Sequence, residues 1–76
     1  MSTSSPVAVV VTLAESHRGR LAEVAASLEA AGLKVARRLT TLGQITGSVQ
    51  RDRLADLRQV TGVADVEQSG DEYRAL

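Results

Sequence analysis

Several residue types that stabilise small proteins or bind metals are absent from this chain or rare in it. It contains no cysteine, tryptophan or phenylalanine, one tyrosine (Tyr73) and one histidine (His17). Without cysteine there is neither a disulfide nor a thiolate metal site, and one histidine cannot hold zinc or iron alone. We therefore expect no metal and no cofactor. Within 76 residues, one domain core must be built from valine, leucine, isoleucine and alanine.

The charges of the chain balance. Nine Lys and Arg residues offset nine Asp and Glu residues, so no net field attracts nucleic acid. Recognition of single strands also depends on stacking aromatic side chains, and Tyr73 lies outside the apparent domain. We expect no nucleic-acid partner. The charges do cluster, in a pattern typical of solvated edge strands: Lys34, Arg37 and Arg38 in one segment, and Asp65, Glu67, Asp71 and Glu72 towards the C-terminal end.

The N-terminal segment carries no targeting signal of a known type. Residues 1–6 are rich in serine and contain no basic residue, and we expect them to be disordered. The apolar run that follows, residues 7–11, is too short to span a membrane and lacks the basic start of a secretory signal. The sequence thus predicts a cytoplasmic protein without a membrane partner.

Residues 7–13 are rich in β-branched side chains and predict a strand. Alternation divides the strand into two faces, and both are largely apolar, which favours a central position in a sheet covered on both sides. The first face carries Val7, Val9, Val11 and Leu13, and the second carries Ala8, Val10 and Thr12.

Two helices and three further strands are predicted after this strand. The first helix starts at Ser16 as its cap, carries an apolar stripe at helical spacing and ends at Gly32. Residues 33–39 form an edge strand, in which two arginines interrupt the alternation, and residues 40–43 form a turn. Residues 44–49 form a strand in which Gly47 allows a close neighbour, expected to be a helix. The second helix spans residues 50 or 51 to 60, and the last strand spans residues 63–68.

This order of elements is the split βαβ arrangement, so the sequence predicts an α+β, ferredoxin-like fold of order βαββαβ. Right-handed crossovers place both helices on one face of a four-stranded antiparallel sheet and leave the other face open. One of the two apolar faces of the first strand must then be uncovered, and a partner is expected to bind there. We take Ala8, Val10 and Thr12 as the candidate docking face. The domain spans residues 7–68, and residues 69–76 form an extended tail.

No group of residues indicates an active site, and we do not expect an enzyme. His17 has no serine or cysteine that the pattern brings close. Asp52 and Asp56 lie one helical turn apart, but the arginines between them indicate a salt-bridged helix face. Gly43 and Gly47 do not form a phosphate-binding loop, because no Gly-Lys-Ser/Thr triplet occurs.

Two segments resemble the propeptide-type inhibitors of subtilisin-like serine proteases. Residues 42–49, Leu-Gly-Gln-Ile-Thr-Gly-Ser-Val, are similar to the third strand of that family. Residues 57–67, Leu-Arg-Gln-Val-Thr-Gly-Val-Ala-Asp-Val-Glu, are similar to its second helix, Gly-Val turn and last strand. The resemblance extends more weakly over residues 7–67. It implies a ferredoxin-like domain whose open sheet face packs on the protease, while the C-terminal residues lie in the catalytic cleft as a product does.

The same resemblance assigns roles to the last residues. Leu76 would enter the primary specificity pocket, and the small Ala75 would suit a crowded neighbouring subsite. Tyr73 would reach the apolar pocket for the fourth residue from the cut, and Arg74 would point to solvent. Since no catalytic domain follows these residues, the protein is expected to act in trans as a free-standing inhibitor, monomeric when free; a chaperone-like role towards its protease remains open.

An alternative comes from the same topology. Residues 17–24 and 31–35 also look like the ACT domain, which senses small molecules. Those domains dimerise side by side and bind amino acids at the interface, and Gly19 would then let a ligand approach the backbone. This alternative predicts a dimer that is insensitive to loss of the tail.

Overall fold

The computed structural model describes residues 6–68. The strands are β1 (Pro6–Leu13), β2 (Lys34–Leu39), β3 (Gln44–Gln50) and β4 (Val63–Gln68), and the helices are α1 (Leu21–Ala30) and α2 (Leu54–Arg58). Short 3-10 turns cover Glu15–Arg20, Thr40–Leu42 and Arg51–Arg53. The predictions for residues 1–5 and 69–76 lie outside the described residues. Within the described part, no helix is both long and apolar enough to cross a membrane.

The strands form one antiparallel sheet in the order β2-β3-β1-β4. The predicted α+β, ferredoxin-like arrangement is confirmed, with β1 in the interior of the sheet and β2 at one edge. These positions follow from the side chains, because both faces of β1 are largely apolar whereas half of the residues of β2 are charged. β1 begins at Pro6, one residue before the expected start.

Both helices pack on the same face of the sheet, where they enclose the core. The largest side chains that are fully buried come from both helices and from the two central strands: Leu28, Leu57, Ile45, Val9 and Val11. Among residues 6–68 no polar or charged side chain is buried. Aliphatic packing therefore supplies the whole core, as the lack of Phe and Trp requires.

The helix starts differ from the predictions. Ser16 does not cap a helix: its hydroxyl bonds to Nδ1 of His17 at 3.0 Å, inside a 3-10 turn. That turn contains no buried residue, so no apolar stripe anchors it as an α-helix, and α1 starts only where the stripe begins, at Leu21. The second helix is likewise shorter than predicted, because residues 51–53 form another 3-10 turn and the α-helix ends at Arg58.

Two glycines mark tight backbone positions. Gly32 ends α1 with φ +112°, as predicted, and the Leu33 N–H donates a hydrogen bond to the Leu28 carbonyl oxygen. The neighbour of Gly47, however, is not the expected helix. It is the backbone of β2, where the pairing register shifts between Val35 and Arg37, so the close approach accommodates a β-bulge.

Candidate docking surface

The structure distinguishes the two faces of β1. Val7, Val9, Val11 and Leu13 are buried beneath the helices. The candidate docking residues Ala8, Val10 and Thr12 alternate with them, are half-buried and lie on the opposite side. No helix covers this side in the described part of the chain, and we call it the open face.

The strand registers bring residues from all four strands into rows across the open face. Paired residues in a sheet project to the same side, so each row follows directly from the register. The Gln44 side-chain amide donates a hydrogen bond to the Thr12 hydroxyl at 3.4 Å, consistent with this placement. From the β2 edge to the β4 edge, the central row is Arg37, Thr46, Val10 and Glu67, and one neighbouring row is Leu39, Gln44, Thr12 and Asp65. The other neighbouring row begins with Lys34, Ser48 and Ala8.

The open face is electrically polarised. Its β2 side carries the exposed cations Lys34 and Arg37, and its β4 side carries the exposed anions Asp65 and Glu67. The middle holds only small or uncharged side chains. From the sequence alone, these charges indicate only solvated edge strands. That they share one face of the sheet follows only from the registers of the three strand pairs. The register likewise adds Gln44, Thr46 and Ser48 to the surface, which the sequence alone did not select.

The described chain ends beside this face. Gln68, the last residue of β4, pairs with Val9 of β1, next to Ala8 of the open face. The predicted tail residues Tyr73, Arg74, Ala75 and Leu76 lie outside the described residues. A stretch of eight residues after Gln68 could reach at most about 29 Å if fully extended. A partner that covers the open face would therefore lie within reach of the tail.

Both edges of the sheet carry features that disfavour pairing with another strand. β2 contains the bulge and three cations, Lys34, Arg37 and Arg38. At the other edge, the guanidinium of Arg58 donates a hydrogen bond to the Val66 carbonyl oxygen at 3.0 Å, placing a cation against the backbone of β4. The open face is thus a better docking surface than either edge.

The remaining candidate residues do not assemble a site. Asp56 forms an exposed ion pair with Arg53, between Oδ2 and Nε at 3.0 Å, as expected for a salt-bridged helix face. His17 lines a shallow groove between α1 and the turn at Gly62, in which it meets mainly exposed polar side chains. Gly19 is exposed, and a side-chain carbon added there would meet no other atom within 4 Å. In residues 6–68 no three His, Asp or Glu side chains group as metal ligands would.

No family model, curated protein or solved structure matches the chain significantly. Its function must therefore be inferred from the open face and from the sequence of the tail.

Proposed function

We propose that the protein inhibits a subtilisin-like serine protease without being an enzyme itself. The open face, with Ala8, Val10 and Thr12 at its centre, docks on the protease, and the tail enters the catalytic cleft as a product does. Leu76 fills the primary specificity pocket, Ala75 the crowded subsite beside it and Tyr73 the pocket for the fourth residue from the cut. The inhibitor acts in trans, from the cytoplasm, and as a monomer at low concentration.

The observation that carries the proposal is the position of the end of β4. Gln68 pairs with Val9, whose chain neighbour Ala8 lies on the open face, so the domain can hold a partner there while the residues after Gln68 extend over the partner's surface. An extended segment can add as a strand to the edge of an enzyme and place alternate side chains in pockets. Small side chains such as Ala8, Thr46 and Ser48 let a flat partner surface approach the sheet closely.

Linkage between the two contacts explains how a short tail can inhibit. A free tetrapeptide product binds weakly, but tethering makes its binding intramolecular at an effective concentration of the order of millimolar. The resulting affinity exceeds that of either part by roughly 10² to 10⁴. Binding also stabilises the folded domain by mass action, so an inactivated protease should raise its melting temperature.

The experiment is a titration of subtilisin, and of a second subtilisin-like protease, with the full chain and two variants. The first variant lacks residues 73–76, and we expect it to lose at least about 10² in potency because the cleft contact is gone. The second is Val10→Arg, which places a long cation at the centre of the open face. Its matched control is Ala26→Arg, on an exposed position of α1 on the far side of the sheet.

The expected pattern is inhibition by the full chain and by Ala26→Arg, with potency lost in the truncated chain and in Val10→Arg. If the full chain inhibits neither protease, the proposed function is wrong. If truncation leaves the potency unchanged, the tail has no part in the mechanism. If Ala26→Arg is as weak as Val10→Arg, docking does not use the open face.

A further inference from the structure

We propose that the open face also binds a second copy of this chain, in a weak symmetric dimer that covers the surface used for docking. The charge polarity of the face supports this dimer independently of the proposed function. Cations line the β2 side and anions line the β4 side, with uncharged residues between them. Such a face is complementary to a copy of itself in one orientation.

A two-fold axis that runs parallel to the strands, between β3 and β1, produces this orientation. It exchanges the two sides of the sheet, so the β2 edge of one protomer lies over the β4 edge of its partner. In the central row, Arg37 then faces Glu67 of the other copy, and Val10 faces Thr46, each contact occurring twice. Packed sheets lie about 10 Å apart, a gap that arginine and glutamate side chains can bridge from both sides.

The alternative two-fold axis, perpendicular to the strands, is disfavoured by the same charges. It places each edge over its own counterpart, so Arg37 would face Arg37 and Glu67 would face Glu67. Juxtaposed like charges oppose association and select against wrong arrangements. The edges also disfavour growth by strand addition, because of the β2 bulge and the Arg58 contact at β4.

The area of the face sets the strength of the dimer. Four strands spaced about 4.8 Å apart, with about six residues each at about 3.3 Å, give a flat area of roughly 400 Å² per protomer. The total, roughly 800 Å², is below the roughly 1,200 Å² of a stable standard interface. The dimer should therefore form only at high protein concentration. A monomer prevails on dilution, and the docking surface is then free.

The test is sedimentation velocity of the full chain over a wide concentration range, with charge-reversed variants. In the central row, Arg37→Glu leaves an anion at both ends, and Glu67→Arg leaves a cation at both ends. Each variant alone should have a dimer dissociation constant at least about tenfold higher than the native chain, because two attractive contacts become repulsive. An equimolar mixture of the two should associate again, since every contact then joins opposite charges.

Matched controls distinguish loss of the contact between Arg37 and Glu67 from an effect of the changed net charge. Arg20→Glu and Glu23→Arg change the net charge by the same amounts at exposed positions on the helix side, and both should dimerise like the native chain. Added salt should weaken the native dimer, because exposed charge pairs are screened. NMR amide shifts that depend on concentration should map to Val10 and Thr46.

Three results would overturn the inference. These are a native chain that stays monomeric at the highest concentration reached, a mixture that associates no better than its components, and control variants that weaken association equally. None of these results bears on inhibition of the protease, so failure of the dimer leaves the inhibitor proposal standing. If the native chain dimerises but inhibits neither protease, the inhibitor proposal is wrong and the dimer stands.

Discussion

Replacing Gly47 by alanine should destabilise the domain, although alanine is ordinarily the better residue in a strand. Gly47 lies on the buried side of β3. It pairs with Val35 of β2, directly beside the bulge. An ideal Cβ at this position would lie 3.1 Å from the Val35 Cα and 3.0 Å from the Lys34 carbonyl carbon, and still closer to the Lys34 oxygen. All three are backbone atoms, so no side-chain rotation can relieve the contact.

The expected change in the free energy of unfolding is the difference between two opposing effects. Removing glycine restricts the unfolded chain and should stabilise the fold by about 0.4–1 kcal/mol. Overpacking that shifts the backbone typically costs about 1–3 kcal/mol, and a clash with a rigid strand belongs at the upper end. The net loss should be about 2 kcal/mol, which for a domain of this size lowers the melting temperature by roughly 8–16 °C.

Urea denaturation followed by circular dichroism measures this change. The matched control is Gly19→Ala: Gly19 is exposed, its φ is not positive, and nothing lies within 4 Å of the added carbon. It should be neutral or slightly stabilised. Equal or greater stability of Gly47→Ala relative to the native chain would refute the reasoning, because β2 would then have room to move.

Three further substitutions test the core, a turn and an edge. Leu28→Ala should lower the free energy of unfolding by about 2–5 kcal/mol, because Leu28 is fully buried, while Leu42→Ala at an exposed position should change it by less than about 0.5 kcal/mol. Gly62→Ala should cost about 1–2 kcal/mol in thermal unfolding, since the residue has φ +96°; an unchanged melting temperature would contradict this. Arg58→Gln should lower the protein concentration at which aggregation begins in light scattering, because the β4 edge loses a cation beside Val66. An unchanged concentration would show that Arg58 does not protect this edge.

The fold could be predicted because its strongest signals are local and agree with one another. The β-branched run of β1 and the apolar stripe that ends at Gly32 identify one strand and one helix without ambiguity. The interrupted alternation of β2 indicates an edge strand, and the structure explains the interruption by a bulge between Val35 and Arg37. Short connections then leave few topologies to consider.

The starts of the helices could not be predicted from the same signals. Serine is a common helix cap, so Ser16 indicates a helix start. Whether a helix starts there depends on how the first turn packs, and residues 15–20 contain no buried side chain. The neighbour of Gly47 is β2 and not the expected helix, because a glycine in a strand indicates a close neighbour without indicating whether that neighbour is a helix or a strand. Tertiary packing decides both.

The open face shows most clearly what the register adds to a sequence. Arg37 and Glu67 are 30 positions apart in the chain, and no periodicity relates them. They share a row only because β3 pairs with β2 on one side and with β1 on the other, while β1 pairs with β4. A shift of one residue in any of these pairings would move one of the two charges to the buried side. The burial of Val11 and of its pairing partners Ile45 and Val66 fixes the registers of β1 with β3 and of β1 with β4. The aliphatic core on one face of the sheet thus sets which charges the opposite face presents to a partner.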